Sequence, residues 1–265
     1  RRMESFIIKD LSLVDQEEVR LDRVSFIHPL GQSLLVVGES GSGKTLLTKA
    51  LIGIIPRNMK QTGSIHYGDL HLDSFSDKEW NAFRGQKIAY LVQNPMSMFN
   101  PFQTIWTHFY ETIKSHSTFS KSECRKKALE VLEKVRIANP ESVLQQYSFE
   151  LSGGMLQRIM LSIILCLDPE TIILDEPTSA VDRVNREMIL SLIKDLLAQH
   201  KTVITVTHDY YLARELGGNM LVLEKGKVVE FGKTEDLLTA PKESYTKELF
   251  LEQDLKQVIR NNAGM

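Results

Sequence analysis

The chain has 265 residues, with 34 acidic and 32 basic side chains and a formal net charge of −2. This length suits one large domain, or two closely packed subdomains, with a substantial buried core. The near-neutral charge offers no basic surface for DNA or RNA, which argues against nucleic-acid binding. No apolar run reaches the roughly 20 residues needed to cross a bilayer. The first residues lack the apolar segment of a signal peptide, so we expect a cytoplasmic location.

Short apolar strands alternate with helical stretches, which is the pattern of an α/β protein with a parallel sheet. Residues 5–28 alternate apolar and polar side chains and predict antiparallel strands laid against that core. Continuous apolar runs predict buried strands, and each is followed by polar residues at the end where ligands bind in open α/β sheets. These runs are Ser33–Val37, Ile88–Val92, Thr171–Leu174 and Thr202–Val206.

The stretch between the second and third of these strands predicts helices. Residues 101–167 contain no convincing strand, and Thr118–Arg136 is amphipathic, with Ser120 and Glu123 at the spacing of a capping box. We therefore predict one domain over residues 1–265, with an inserted helical subdomain over about 96–167 and a helical tail over 243–265.

A glycine-rich loop gives the strongest local signal. It matches the phosphate-binding pattern of glycine, four residues and then Gly-Lys-Thr. Its backbone amides and the helix that follows can converge on phosphates. Lys44 would then face the terminal phosphates, and Thr45 would offer a hydroxyl to Mg²⁺. The loop consists of Gly38, Glu39, Ser40, Gly41, Ser42, Gly43, Lys44 and Thr45.

Two adjacent carboxylates, Asp175 and Glu176, end the third predicted strand. Neighbouring side chains of a strand point to opposite sides, so the two acids can take different roles. Asp175 can hold Mg²⁺, and Glu176 can face the γ-phosphate and polarise an attacking water. An ordinary strand end with solvated acids would look the same in isolation.

The segment Leu151–Arg158 reads Leu-Ser-Gly-Gly-Met-Leu-Gln-Arg and closely resembles the signature motif of ATP-binding cassette (ABC) ATPases. Ser152 with the amides of Gly153 and Gly154 forms a helix start that can bind a second anion. The resemblance implies that this motif, including Gln157, closes on the nucleotide held by a partner subunit. It also implies the ABC ATPase fold: a phosphate-loop NTPase core with an antiparallel β-subdomain and a helical subdomain.

Shorter matches follow in the family's order, and their roles are what the resemblance implies. Gln93 corresponds to the glutamine that touches Mg²⁺ or water and senses the membrane partner. Ser179 and Asp182 fall in the loop that crosses the dimer interface, and His208 corresponds to the histidine that contacts the γ-phosphate. The chain departs from the family near Val14, where no aromatic residue is available to stack on adenine.

Two further segments, Gln93–Pro101 and Ala240–Thr246, resemble importers of nickel, dipeptides and oligopeptides. The resemblance implies an ATPase that pairs with a second ATPase subunit, identical or paralogous. It implies two permease subunits that dock at the groove beside Gln93, an extracytoplasmic solute-binding protein, and a peripheral position on the cytoplasmic side of the cell membrane.

Thr104–Glu111 and the form of the signature resemble the nickel-import subunit most closely, so nickel is the expected cargo and a peptide is the alternative. A regulatory ATP-binding protein without a transport role is the alternative from another class. ATP and Mg²⁺ are the expected cofactors. The seven histidines are scattered without metal-ligand spacing, so we expect no nickel site on this chain.

Overall fold

The computed structural model describes residues 4–179 and 183–263, with side chains described up to residue 254. Within these residues the chain forms two sheets and a set of helices packed on the larger sheet. The strands are β1 (Ser5–Asp15), β2 (Glu18–Pro29), β3 (Ser33–Val37), β4 (Met59–Tyr67), β5 (Leu70–His71), β6 (Ile88–Leu91), β7 (Thr171–Asp175), β8 (Thr202–Val206), β9 (Asn219–Glu224) and β10 (Lys227–Lys233). The α-helices are α1 (Lys44–Leu51), α2 (Asp77–Phe83), α3 (Ile105–His116), α4 (Lys121–Lys134), α5 (Pro140–Gln145), α6 (Gly153–Cys166), α7 (Arg183–Ala198), α8 (Tyr210–Leu216), α9 (Thr234–Thr239) and α10 (Ser244–Ala263).

The core sheet has the strand order β10-β9-β3-β8-β7-β6. Its neighbouring strands are parallel, except that β10 is antiparallel to β9. Strands β3, β7 and β8 are buried at every position, as their continuous apolar runs predict. Alternate side chains of β3 enter opposite cores: Leu35 and Val37 pack towards the helices, whereas Leu34 and Val36 pack towards the second sheet.

The second sheet is antiparallel, with the order β2-β1-β4-β5. Strands β1 and β2 lie within the predicted region and pair from Ser5 opposite Pro29 to Asp15 opposite Glu18. The predicted fold class, a mixed α/β core with an N-terminal antiparallel sheet, is therefore confirmed. Strands β4, β5, β9 and β10 lie outside the segments for which the sequence predicted strands. Most residues of β4 are exposed or half-buried. Its sequence is correspondingly polar and lacks the apolar pattern that would predict a strand.

The chain between β6 and β7 folds into helices α3 to α6. Helix α4 begins with the expected capping box: Ser120 Oγ accepts from the Glu123 amide at 3.2 Å, and a Glu123 carboxylate oxygen accepts from the Ser120 amide at 2.6 Å. The apolar faces of these helices join the core under the large sheet, with Phe109, Leu132 and Ile159 fully buried. Among the described residues, no helix combines the length and apolar character needed to span a bilayer.

The parallel strands bring four loops to one edge of the core sheet. Val206 of β8 lies opposite Val36 of β3 on one side and Asp175 of β7 on the other. Leu91 of β6 lies opposite Leu174. The loops that follow β3, β6, β7 and β8 therefore emerge side by side, and these loops hold most of the predicted site residues.

His28 is a buried histidine with both ring nitrogens satisfied. Its Nε2 donates to the Gln32 carbonyl oxygen at 3.2 Å, and its Nδ1 accepts from the Asn219 side-chain amide at 3.2 Å. Burial lowers the pKa of His28 from 6.5 to about 4, and the bond to Gln32 offsets part of that shift. The folded protein therefore holds this imidazole neutral.

We expect the free energy of unfolding to depend on pH through His28. An unfolded histidine titrates near 6.5 whereas His28 titrates at about 4 in the folded chain, so its contribution is complete above pH 6.5 and is lost as pH falls towards 4. The loss approaches roughly 3 kcal/mol. Urea unfolding across this range should show a shallower pH dependence in His28→Gln than in the wild type. The exposed His200→Gln variant is the control, and an unchanged slope in His28→Gln would contradict this assignment.

Candidate active site

The glycine-rich loop joins β3 to α1 and requires glycine where it turns. Gly38 and Gly43 have φ angles of 155° and 101°. A Cβ on Gly38 would lie 2.3 Å from the Leu223 carbonyl oxygen, and one on Gly43 would lie 2.8 Å from a methyl group of Leu21. The backbone can therefore wrap tightly in front of α1, whose first amides point out of the helix towards the loop.

Lys44 is buried beneath this loop, although it carries a charge. Its Nζ donates to the carbonyl oxygens of Gly38 at 2.6 Å and Glu39 at 2.8 Å. Burial lowers the pKa of Lys44, and the charges of Glu176, Asp175 and Glu39 oppose that shift. The result is a cation of low solvation beside two carboxylates, which suits it to bind phosphate oxygens.

Asp175 is buried and only partly satisfied. One oxygen accepts hydrogen bonds from Thr45 Oγ1 at 3.2 Å and from the Tyr90 hydroxyl at 2.9 Å. Its other oxygen, Oδ1, is buried and has no hydrogen-bond partner within the described part of the chain. An orphan carboxylate oxygen beside a threonine hydroxyl fits the oxygen ligands that Mg²⁺ prefers. Tyr90 was missed by the sequence analysis, because no motif marks a tyrosine on β6.

Glu176 follows β7 in a left-handed conformation, with φ 50°, which costs energy for a residue other than glycine. Its amide donates to the Val206 carbonyl oxygen at 2.8 Å, so the neighbouring strand holds this conformation. Burial raises the pKa of Glu176 to about 7, against the opposing effects of the His208 amide and Lys44. A carboxylate with a pKa near neutrality is suited to act as a general base.

His208 contacts Glu176 directly, as expected for loops on adjacent strands. Its Nε2 lies 3.0 Å from Glu176 Oε1, and its backbone amide donates to Glu176 Oε2 at 3.4 Å. The His208 side chain is half exposed, whereas that of Glu176 is 10% exposed. The imidazole therefore lies at the rim of the site, where it can contact a bound group and Glu176 at the same time.

The signature segment lies at the start of helix α6. Ser152 caps α6, and its Oγ accepts from the Met155 amide at 3.3 Å. A Cβ on Gly153 would meet nothing within 4 Å, and one on Gly154 would meet only an Asn185 side-chain nitrogen at 3.9 Å. Packing inside this chain therefore does not require glycine at either position. Within the described residues, no hydrogen bond joins this segment to the glycine-rich loop.

Gln157 differs from the other signature residues, because it is buried against its own chain. Its side-chain amide donates to the Pro177 carbonyl oxygen at 2.8 Å. This bond ties α6 to the segment that follows Glu176. Gln93, in contrast, is exposed just after β6. Ser179 is also exposed, and Asp182 lies outside the described residues.

Asp209 forms a network that no sequence motif predicted. Its carboxylate accepts from Arg186 at 2.7 Å, from the Tyr211 amide at 3.0 Å and from Thr178 Oγ1 at 3.2 Å. The residue after His208 is therefore bonded to residues on both sides of Ser179. These bonds connect the segment after Glu176 and helix α7 with the turn that contains His208.

Comparison with known proteins agrees with this geometry. Residues 21–179 match the family model described as ABC transporter. The chain is 31% identical to the metal-staphylopine import system ATP-binding protein CntD of Staphylococcus aureus (strain Mu50), over 96% of this chain and 97% of that protein. It is 34% identical to the oligopeptide transport ATP-binding protein AppD of Bacillus subtilis, over 86% of this chain and 71% of that protein.

A solved structure has a similar fold: the ATP-binding cassette MJ0796, in a dimeric post-hydrolysis state bound to ADP and Pi. It superimposes with a TM-score of 0.77 at 27% identity and covers 86% of this chain and 98% of that chain. The family match includes the loops that follow β3, β6 and β7.

We expect Glu176→Gln to abolish most ATP hydrolysis while leaving ATP binding intact, because the amide keeps the shape of the side chain but cannot accept a proton. The rate of phosphate release should fall at least about 100-fold, whereas the affinity for ATP should change less than about 3-fold. Steady-state phosphate release and equilibrium nucleotide binding measure the two effects. Glu248→Gln, on an exposed part of α10, is the control. Turnover near the wild-type rate in Glu176→Gln would refute its role.

Proposed function

This chain belongs to the ABC transporter family and is an ATPase, and we propose that it powers solute import from the cytoplasmic side of the cell membrane. One observation supports this most directly. Lys44, Asp175 and Glu176 form a buried cluster beside the glycine-rich loop, whereas Ser152 and Gly153 are exposed at the start of a separate helix, α6. We propose that each of these places is half of a nucleotide site, so that a second ATPase subunit is needed to complete it.

The roles of the clustered residues follow from their positions. The amides of the glycine-rich loop and Lys44 bind the phosphates of ATP; burial lowers the pKa of Lys44, and the charges of Glu176 and Asp175 oppose that shift. Thr45 and Asp175, with Gln93, would hold Mg²⁺, which supplies positive charge to the phosphates when bound. Glu176 polarises the attacking water. His208 contacts the γ-phosphate, and its ring is held in place by Glu176.

A dimer is supported by the exposure of the signature segment. Ser152 and Gly153 are exposed, and glycine there serves no packing within the chain. The similar cassette MJ0796 forms a dimer in its solved structure. We propose that Ser152, Gly153 and Gly154 bind the γ-phosphate of the nucleotide held by the partner, and that Ser179 and Asp182 lie at the same interface.

We expect Ser152→Arg to damage the partner's nucleotide site and to spare the site on its own phosphate-binding loop. Arginine fills the space in front of the amides of Gly153 and Gly154, so the ATP held by the partner can no longer bind to them. Photo-crosslinking with an azido-ATP analogue, in dimers whose subunits differ in size tags, reports each site separately. Labelling of the partner should fall at least about 10-fold. Loss of labelling on the variant chain alone would contradict a shared site.

The surface after Gln93 carries exposed apolar side chains, which supports docking of a permease there. Met98 is 51% exposed, Phe102 is 89% exposed and Phe149 is 68% exposed. A bridge between Thr104 and Tyr147 brings the two segments together. Exposed apolar side chains at this density mark an interaction surface. We propose that residues 96–167 form a helical subdomain whose groove receives a cytoplasmic segment of each of two permease subunits.

We expect Phe102→Asp to uncouple the chain from its permeases without removing its ATPase activity, because Phe102 lies outside the cluster around Lys44. Co-purification of tagged chain with permeases from membranes should fall at least about 10-fold, since a charge replaces an apolar anchor. Ile27→Asp, at a position 59% exposed on β2, is the matched control and should co-purify normally. Equal co-purification of both variants would argue against this groove. Complete absence of permeases in wild-type preparations would favour the regulatory alternative.

We propose nickel, free or chelated, as the cargo, and a di- or oligopeptide as the second candidate. The relatives include a metal-staphylopine import protein and an oligopeptide transport protein. The resemblance of Thr104–Glu111 to nickel importers favours the metal. Purification of the assembled importer with its solute-binding protein, followed by metal analysis and mass spectrometry of the released solute, tests this choice. Peptide without metal would refute nickel.

A further inference from the structure

Helix α10 contacts two of the loops that form the nucleotide site. The Tyr245 hydroxyl accepts a hydrogen bond from the Glu39 amide at 3.0 Å. The Gln253 side chain donates to the His208 carbonyl oxygen and accepts from the Tyr210 amide at 3.4 Å. One helix, far along the chain from both loops, is therefore bonded to the segments that follow the neighbouring strands β3 and β8.

The bond from Tyr245 orients the peptide group that holds Lys44. The peptide between Gly38 and Glu39 is planar, so its amide and its carbonyl move together. Its amide donates to Tyr245, and its carbonyl oxygen accepts from Lys44 Nζ at 2.6 Å. Rotation of this peptide would break both contacts. Tyr245 therefore acts on Lys44 through a rigid group, without touching it.

Gln253 holds the backbone of His208 in a comparable way. Its side-chain nitrogen donates to the His208 carbonyl oxygen, and its side-chain oxygen accepts from the Tyr210 backbone amide. These two bonds span the turn where α8 begins. The His208 amide and ring both contact Glu176. The position of the imidazole relative to Glu176 therefore depends on a backbone segment that Gln253 holds through two hydrogen bonds.

Helix α10 is firmly seated, so these bonds have a rigid support. Leu249 is buried, and the rings of Phe250 and Tyr210 pack edge to face with centroids 4.8 Å apart. Just before the helix, the Glu230 carboxylate accepts from the amides of Lys242 and Glu243 at 3.0 Å each. Tyr245 and Gln253 stand about 12 Å apart along the axis, on the stripe that includes Leu249.

We propose that Tyr245 and Gln253 are positioning residues for ATP hydrolysis: Tyr245 sets the phosphate-binding loop through the Gly38–Glu39 peptide, and Gln253 sets His208. This inference rests on the proposed roles of Lys44 and His208. The two residues act on different parts of the reaction. Lys44 binds phosphate before and during hydrolysis, so Tyr245 governs binding of ATP, whereas Gln253 governs the chemical step at the γ-phosphate.

The test is the split between KM and kcat in the full chain, purified from membranes with its associated subunits. Tyr245→Phe removes only the hydroxyl and should raise KM for ATP about 5-fold, with kcat within about 2-fold of the wild type. Gln253→Ala should lower kcat about 5-fold with KM little changed. The rates are normalised to the stoichiometry of ATP binding, so that a loss of folded protein does not register as a loss of kcat.

Gln253→Glu keeps the acceptor but removes the donor to His208, so it should match Gln253→Ala. Glu248→Gln, on an exposed part of the same helix, should retain both wild-type constants. Wild-type KM in Tyr245→Phe together with wild-type kcat in Gln253→Ala would overturn the proposal. His208→Ala separates the two hypotheses: full activity in that variant refutes the proposed role of His208. An inactive His208→Ala beside a fully active Gln253→Ala refutes only the role of Gln253.

Discussion

The buried charge of Lys44 is the constraint on which the rest of the site depends. Burial lowers the pKa of Lys44, and the nearby charges of Glu176 and Asp175 oppose that shift and stabilise the charged form. The two acids end β7, and β8 separates that strand from the strand that leads to Lys44. The order of the three parallel strands β3, β8 and β7 therefore determines whether Lys44 lies close to the two acids.

This arrangement explains why two neighbouring acids behave differently. Asp175 points inward, where Thr45 and Tyr90 bond to one of its oxygens and leave the other available for a cation. Glu176 adopts a left-handed conformation and points to His208, where burial raises its pKa to about 7. A hydrogen bond from the Glu176 backbone amide to the Val206 carbonyl oxygen holds this left-handed conformation. One strand end thus places two carboxylates in different surroundings, which supports the proposed roles of metal ligand for Asp175 and base for Glu176.

The contacts around this cluster also link it to distant surfaces. Gln157 joins the signature helix to Pro177, and Asp209 joins the His208 loop to Thr178 and Arg186. Helix α10 also bonds to the phosphate-binding loop and to the backbone of His208. A shift of Thr178, of helix α6 or of α10 would therefore alter the contacts of the residues around Glu176 and Lys44. Such links are needed if hydrolysis is to be coupled to motion elsewhere.

Much of this protein could be recognised from the sequence, because the relevant signals are local. A phosphate-binding loop, a buried run ending in two acids and a capping box each depend on a few adjacent residues, and the capping box of α4 and the buried strands β3, β7 and β8 formed as expected. Strand β4 was missed because its pairing with β1 does not depend on a continuous apolar run. Tyr90, Asp209, Tyr245 and Gln253 were missed for a related reason: the partner that each of them contacts lies far away in sequence.

The sequence by itself determined which chemical groups are present, their order along the chain and the elements that hold them. Only the tertiary structure decided that Gln157 turns into its own chain and that α10 bonds to two loops of the site. It also decided that, within the described residues, one oxygen of Asp175 has no hydrogen-bond partner. Those outcomes depend on the distances between strands and helices brought together by burial of a common core. No pattern among adjacent residues encodes such a distance, because packing across the whole fold sets it.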